Sequence, residues 1–367
     1  MNDMEVKRLT LKNFRNYGEE TVELAPRTNL IYGDNAQGKT NLLEAVHLAA
    51  TGRSHRAKTD SQMVRFGEEY ARVSVEFADR HRDYKIVIGI LPANRKSVKI
   101  NDVPINKLSV LVNYLNVVMF SPEDLELVKG SPKMRRQFMD TSISSLSPRY
   151  MSELVSYHKV LAQKNNLLKK AKFGDKKAAD NIDVWNIQLA SAGARIMKER
   201  KSFIDGIKKW AKDVHREIAE SELEIVYSPS FEIELLDTPN PELSFLQRLE
   251  EVKQREIEYG SALYGIQRDE IRFFIDGNEA KLFASQGQQR TIVLCMKLAL
   301  TEYIKTRRDE YPVLLFDDIM SELDEKHRSY LADKIRDKQV LLTCTDREES
   351  RAARVIKVTD GKTVKEE

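Results

Sequence analysis

Over the first thirty-two residues apolar and polar positions alternate. The segments "EVKRLTLKNF" and "ETVEL" read as half-buried strands, and the apolar "TNLIY" runs as a strand into Gly33. Beyond it, "TNLLEAVHLAATG" sets Leu42, Leu43, Val46, Ala49 and Ala50 at helical spacing, with Gly52 suited to the stop. Alternation returns over 71–103 in "ARVSVEFAD", "YKIVIGIL" and "KSVKINDVPI", where Asn101-Asp102 is turn-like. "YLNVVMF" reads as a short strand closed by Ser121-Pro122. From about 123 to 225 the pattern is helical almost throughout, with apolar residues three and four apart, as at Ile196, Phe203, Ile207 and Trp210. No heptad runs long enough for an extended coiled coil. Proline-rich turns fill "VYSPSFEIELLDTPNPEL", and "EIRFFIDGNEAKLF" predicts a hairpin about Asp276-Gly277. A largely apolar helix follows from about 288 to 305. "YPVLLFDD" and "KQVLLTCTD" carry the unbroken apolar runs of strands buried on both faces, and "DGKTVKEE" reads as a frayed tail. There is no internal repeat.

The pattern predicts an α/β fold whose sheet-forming material lies at both ends of the chain. A head made of 1–122 and 261–367 is interrupted by an inserted α-helical arm over 123–260. The length, 367 residues, suits two or three domains with sizeable cores. The N-terminus lacks the apolar run of a signal peptide, and no apolar stretch approaches the roughly twenty residues needed to span a bilayer. Only Cys295 and Cys344 occur, each inside an apolar segment, which points to small buried thiols rather than a disulfide or metal site. The expectation is a soluble globular protein of a reducing compartment, most simply the cytoplasm.

The formal net charge of +3 hides an asymmetry. From Lys133 to Arg216 there are 19 Lys and Arg against 8 Asp and Glu; from Glu217 to Gly260 there are 3 against 12. A basic block suggests an anionic partner, with nucleic acid the commonest. The two blocks facing each other, or solvating helix surfaces, is the equal alternative.

Candidate chemistry begins at "GDNAQGKTN". Gly33-x-x-x-x-Gly38-Lys39-Thr40 follows an apolar strand and opens a helix, the context a phosphate-binding loop requires. The backbone of Gly33, Asp34, Asn35, Ala36, Gln37, Gly38, Lys39, Thr40 and Asn41 would wrap a polyphosphate at the positive end of the helix. Lys39 would reach the β and γ phosphates of ATP, and Thr40 would hold Mg²⁺. "PVLLFDD" delivers two carboxylates to the edge of the sheet: Asp317 as the second Mg²⁺ ligand and Asp318 to orient or deprotonate water. On propensity alone, "ASQGQQRT" reads as a helix cap, with Ser285 at the start and Gly287 for a tight turn.

Together these stretches resemble the ABC-type ATPases. In that family a Ser-x-Gly-Gln signature ahead of an hhhhDD strand binds the γ-phosphate held by a second subunit. The resemblance implies that Ser285, Gly287 and Gln288 act in trans, and that "SELD", with Ser321 and Asp324, is the D-loop across such a dimer. Thr345 stands where transporter ATPases usually place a switch histidine. Within the DNA-repair and chromosome-organising branch, "LKNFRNY", "GDNAQGKTNLLEAV", "TGRSHR", "FSPEDLELVKGSPKMRRQFMD", "SQGQQRT" and "LLFDDIMSELD" are similar, in order, to the RecF family of recombination mediators. That resemblance implies an ABC-type head with a helical second lobe and an ATP-dependent homodimer. It also implies binding to DNA (duplex, gapped or at single/double-strand junctions) and weak, DNA-stimulated ATP hydrolysis. The partners it implies are RecR and RecO.

Some positions stay open in the sequence. "GIQRDE" departs from the family's usual "GPHRDD": Gln267 replaces a histidine, while Arg268 and Asp269 remain. "SPEDL" offers no Q-loop glutamine. Arg15, Arg53, His55 and Arg56 are candidates for nucleotide or DNA phosphate, or for salt bridges. Lys169, Lys170, Lys172, Lys176 and Lys177 are a DNA contact or a solvated face. Two other classes remain at this stage: a P-loop enzyme acting without dimerisation, and the ATPase subunit of a transporter.

Overall fold

The computed structural model describes residues 4–92, 95–231, 236–347 and 352–366. The chain divides into two units, Met1–Asp124 with Lys297–Glu367, and Leu125–Met296. The first unit opens with β1 (Glu5–Phe14), β2 (Tyr17–Glu23), β3 (Thr28–Tyr32), α1 (Lys39–Thr51), β4 (Ala71–Ala78) and β5 (Asp83–Leu91). It continues through β6 (Arg95–Ile100), β7 (Val103–Ile105) and β8 (Val117–Phe120). The second unit begins with α2 (Glu126–Lys129), α3 (Pro132–Ser144), α4 (Pro148–Lys172), α5 (Lys176–Asp180) and α6 (Ile182–Ile218). Then come β9 (Leu223–Ser228), α7 (Pro241–Glu251), α8 (Lys253–Tyr259), β10 (Glu270–Ile275), β11 (Asn278–Glu279) and α9 (Ala280–Phe283). Residues of α10 (Gln286–Arg308) belong to both units. The first unit closes with β12 (Val313–Asp317), α11 (Glu325–Ile335), β13 (Val340–Cys344), β14 (Arg354–Thr359) and β15 (Lys362–Glu366).

In the first unit, strands β2-β1-β4-β5-β6-β7 form an antiparallel sheet whose buried positions alternate, as the sequence pattern requires. The other sheet has the order β15-β14-β3-β13-β12-β8, parallel throughout except for its edge strand β15. All five residues of both β12 and β13 are buried, which explains their unbroken apolar runs. Leu42, Leu43, Val46 and Leu48 of α1 share one apolar cluster with Val73, Ile86 and Ile88 of the antiparallel sheet and Ile31, Leu315 and Leu341 of the parallel one. The helix after the phosphate loop is therefore part of the core. Burying its apolar side chains contributes about 1.5–3 kcal/mol each.

In the second unit the 37-residue α6 packs against α4, α7 and β9. Three features differ from the sequence expectations. The tail "DGKTVKEE" is ordered, because Asp360 and Gly361 both take positive φ (48° and 68°), the signature of a type I′ turn, and β15 pairs with β14. The largely helical stretch ends in a strand that the pattern does not announce: Leu223, Ile225 and Tyr227 alternate on β9, which pairs with β10. That pairing ties the hairpin β10–β11 to the second unit, so the return to the first comes at 297 rather than 261. Cys295 and Cys344 are buried free thiols, and burial pushes the Cys295 thiol upward. Among the described residues no helix is long and apolar enough to cross a membrane.

Candidate nucleotide site

β3 ends at Tyr32 in the middle of the parallel sheet, and the chain must turn at once into α1. Gly33 makes the turn possible: its φ is 147° and a Cβ there would lie 2.3 Å from the Val358 carbonyl oxygen of β14. Gly38 caps α1 with φ 118°, leaving the first amides of the helix facing the loop. Lys39 is 7% exposed, and its Nζ donates to the carbonyls of Gly33 (2.5 Å) and Asp34 (2.9 Å). The side chain is thus drawn back across the loop it belongs to, and its hydrogen-bond acceptors among the described residues are neutral carbonyls.

Thr40 and Asp317 are 277 positions apart in sequence, yet Thr40 Oγ1 donates to Asp317 Oδ1 at 2.7 Å. β12 lies beside β13, which lies beside β3, so the carboxylate is delivered next to the loop. Thr343 of β13 fixes it from behind, donating to the same Asp317 oxygen at 2.9 Å and accepting the Asp318 N–H at 3.0 Å. Asp318 has φ 52°, and burial, helped by the Asp317 carboxylate and opposed by Lys39, raises its pKa above the ordinary value. A threonine hydroxyl beside a carboxylate is the donor set Mg²⁺ takes in phosphate sites, where substrate oxygens and water complete the shell. Three or more clustered acidic, His or Cys ligands are not needed there, and none occur among the described residues.

The loop is braced from both ends of the chain. Asn16 Nδ2 donates to the Gln37 carbonyl (2.7 Å), Asn41 Nδ2 to Asn16 Oδ1 (2.8 Å), and the Tyr17 hydroxyl to the Gly38 carbonyl (3.0 Å). From the other side, the Asp360 N–H donates to Gln37 Oε1 at 2.6 Å and the Gly361 N–H to the Gln37 carbonyl at 3.2 Å. Asp34, Asn35 and Ala36 form the exposed rim, with Ala36 at φ 65°.

The remaining sequence candidates are placed as follows. Arg15 is committed internally: Nε and Nη2 bind both oxygens of buried Glu44 (2.8 and 2.6 Å), and Nη1 donates to the Gln62 carbonyl (2.7 Å). Glu44 also accepts from Ser54, so "NFRNY" and "TGRSHR" are pinned to α1 by one carboxylate. His55 packs edge-on against His47, ring centroids 5.2 Å apart. Both of its ring nitrogens are shielded from solvent and have no hydrogen-bond partner among the described residues, and burial lowers its pKa against the pull of the Glu44 and Asp317 carboxylates. Arg53 lines a pocket of about 540 Å³ with Ser54, Lys58, Lys96 and Asn106, where Lys96 is paired to Asp60 at 2.7 Å; Arg56 is exposed. At "SPEDL", Asp124 binds the Ser121 N–H and Lys297.

In the second unit, Ser285 and Gln288 make a reciprocal capping box: the Ser285 N–H donates to Gln288 Oε1 (2.9 Å) and the Gln288 N–H to Ser285 Oγ (3.2 Å). Gly287 is exposed, and a Cβ on it would meet nothing nearer than Ser285 Oγ at 4.0 Å. The start of the 23-residue α10 is thus open to an approaching anion. Ser321 Oγ donates to the Asp318 carbonyl (3.0 Å), and Asp324 caps α11 through the His327 N–H (2.8 Å). Gln267 bridges Tyr157 (3.0 Å) and the Tyr264 carbonyl (2.8 Å), while Asp269 is buried against Arg200 (2.7 Å) and Tyr227 (2.6 Å). The braces at Asn16, Tyr17 and Thr343 escape sequence reasoning; the repeated Asn-x-x-Asn of "NFRNY" is no signal without the fold.

Known proteins resemble the chain over nearly its whole length. The RecF/RecN/SMC N terminal domain family matches residues 5–366. The DNA replication and repair protein RecF of Bacillus cereus (strain G9842) is 40% identical, covering 98% of each chain, and that of Bacillus mycoides (strain KBAB4) is equally similar. A solved structure of the recombination mediator protein RecF with ATP, from the RecFOR pathway, superposes with a TM-score of 0.94 at 34% identity, covering 100% of this chain and 98% of that one. A Smc head bound to the C-winged helix domain of ScpA shares the fold (TM-score 0.57, 17% identity). Matched over residues 5–366 by the family model and 40% identical to relatives along 98% of its length, the chain belongs to the RecF family.

Proposed function

We propose that the protein is an ATP-dependent DNA clamp of recombinational gap repair. ATP binds the phosphate loop, Lys39 leaves the Gly33 and Asp34 carbonyls for the β and γ phosphates, and Thr40 and Asp317 hold Mg²⁺. The metal would neutralise charge on the phosphate oxygens. Two heads then close, and Ser285 with the amides of Gly287 and Gln288 meets the γ-phosphate on the partner copy. Asp318, its proton affinity raised, takes the proton of the attacking water; hydrolysis is slow and removes the bridge. Duplex DNA binds the closed dimer through its phosphates, so binding is salt-dependent and largely indifferent to sequence. The names of the RecF relatives, and the RecFOR pathway of the ATP-bound structure, support action with RecR and RecO.

The observation that carries the reading is the Thr40–Asp317 contact at 2.7 Å beside Asp318, the constellation a phosphoryl-transfer site needs. The test is sedimentation of Asp318→Asn, which keeps a residue type tolerant of positive φ. A monomer with ADP and a dimer with Mg-ATP, strengthened by duplex DNA, is expected. Adding Ser285→Asp preserves the cap but sets a negative charge against the γ-phosphate, and should abolish the dimer. A protein that stays monomeric with ATP and duplex together would reduce Ser285 to a helix cap and sink the clamp.

A further inference from the structure

The cavity that Arg53 lines lies beside the far end of α1, where Gly52 caps the helix. The 13 residues of α1 carry it about 20 Å from Lys39 at the phosphate loop. At about 540 Å³ it has the size of a ligand site. Its walls are held by defined contacts. Gly52 takes φ 72°, and a Cβ on it would lie 3.3 Å from Leu108 Cβ. Lys96 Nζ donates to the Gly52 carbonyl at 2.8 Å and pairs with Asp60 at 2.7 Å. Ser54 Oγ accepts from the Arg56 and Ala57 N–H groups (2.9 and 2.7 Å), so the segment after α1 is folded on itself and does not fill the space.

The lining divides by chemistry. Val98 of β6 is buried and Ala57, Ile105 and Leu108 are half-buried, which makes the floor aliphatic. Arg53 and Lys58 stand exposed at the mouth. The lining carboxylate, Asp60, is already neutralised by Lys96. Among the described residues neither Arg53 nor Lys58 closes an ion pair, so the mouth keeps two uncompensated positive charges above an apolar floor.

This combination selects its occupant. No aromatic side chain lines the cavity among the described residues, so a nucleobase would find no face to stack on. An aliphatic side chain matches the floor. A carboxylate matches Arg53, whose planar fork takes both oxygens, with Lys58 as a second point charge. Ile105 ends β7, the edge strand of its sheet, and an extended chain can lie along such an edge. We infer that this pocket docks an extended acidic peptide of a partner protein. An aliphatic residue of that peptide sits on Val98, Ile105 and Leu108, and its carboxylates sit on Arg53 and Lys58. The site is separate from the phosphate loop, and its occupancy does not depend on ATP.

The test uses the full chain without nucleotide and a fluorescein-labelled heptapeptide of alternating glutamate and leucine. R53Q/K58Q should weaken its binding by about tenfold or more, as expected for two lost charge-assisted contacts. Ile105→Ser should weaken it about fivefold or more, whereas Ile105→Val should retain it. Urea unfolding of each variant checks that the fold is kept. A heptapeptide that does not bind the parent chain, or that binds R53Q/K58Q as tightly, would overturn the assignment. If polyglutamate of equal charge displaces the probe as well as unlabelled heptapeptide does, surface charge alone is being read and the pocket is not the site. If oligothymidylate of equal charge does so, the mouth serves a nucleic acid and the peptide assignment falls. Because no nucleotide is present, failure of the clamp reading would leave these results untouched.

Discussion

Lys39 and Arg200 are both buried cations on helices, and they are held in opposite ways. Arg200, 1% exposed, meets Asp140 (2.8 Å), Asp269 (2.7 Å), the Tyr150 hydroxyl (3.2 Å) and the Ile266 carbonyl (2.8 Å). Those carboxylates hold its charge in place and keep its pKa well above the ordinary value despite burial. Lys39 donates to two backbone carbonyls and, among the described residues, closes no ion pair. A neutral acceptor is readily exchanged for a phosphate, whereas a buried carboxylate pair is not given up. The partner, more than the burial, distinguishes a cation that builds from a cation that works. The same contrast separates Arg15, closed on Glu44, from the exposed Arg56.

The largest effect should come from breaking the committed side. Arg200→Ala strands Asp269 and Asp140 and is expected to lower stability by about 3–5 kcal/mol, read from urea unfolding. Next in size, Lys39→Ala should cut ATP turnover by about 10²–10³-fold while unfolding stays within about 0.5 kcal/mol of the parent, measured by phosphate release and the same urea titration. If Lys39→Ala instead unfolds the protein as Arg200→Ala does, the distinction between the two cations fails.

A smaller loss sharpens the role of the braces. Asn16→Ala removes two hydrogen bonds to the phosphate loop and should raise the KM for ATP about five- to tenfold with kcat little changed, in steady-state assays. The smallest effect concerns acid. Burial, with the His55 ring and Lys297 nearby, lowers the pKa of His47 to about 3. Between that value and the usual 6.5 the unfolded chain binds a proton the folded one refuses, so stability is full above pH 6.5 and declines as pH falls towards 3. His47→Gln should flatten the slope of thermal stability between pH 7 and 5; an unchanged slope would place the loss on other groups.

Much of this site was legible before the fold. Gly33, Gly38, Lys39 and Thr40 sit between a strand and a helix, and Asp317 ends a strand whose unbroken apolar run marks it as buried on both faces. What escaped is contact between segments distant in sequence. Nothing local shows that Thr343 supports Asp317, or that Gln37 is held by Asn16 and by Asp360 at once. The polar composition of the tail points to fraying, whereas the Asp360-Gly361 turn folds it back onto β14. On β9 only Leu223, Ile225 and Tyr227 mark the strand, and its partner β10 lies more than forty residues away. Gln267 accepts from the Tyr157 hydroxyl and donates to the Tyr264 carbonyl, two contacts that no local pattern in the sequence announces.

The position of β3 between β13 and β14 has a consequence for biosynthesis. The second unit is one uninterrupted stretch and can fold as it leaves the ribosome. The strand that leads into the phosphate loop cannot: its neighbours lie roughly 300 residues downstream, about 15–60 s later at ordinary elongation rates. During that interval the loop has no sheet to hang from, and a chain that stops short of β13 has no ATP site. The site therefore waits on β13, because only once that strand is made can Thr343 hold Asp317 beside Thr40.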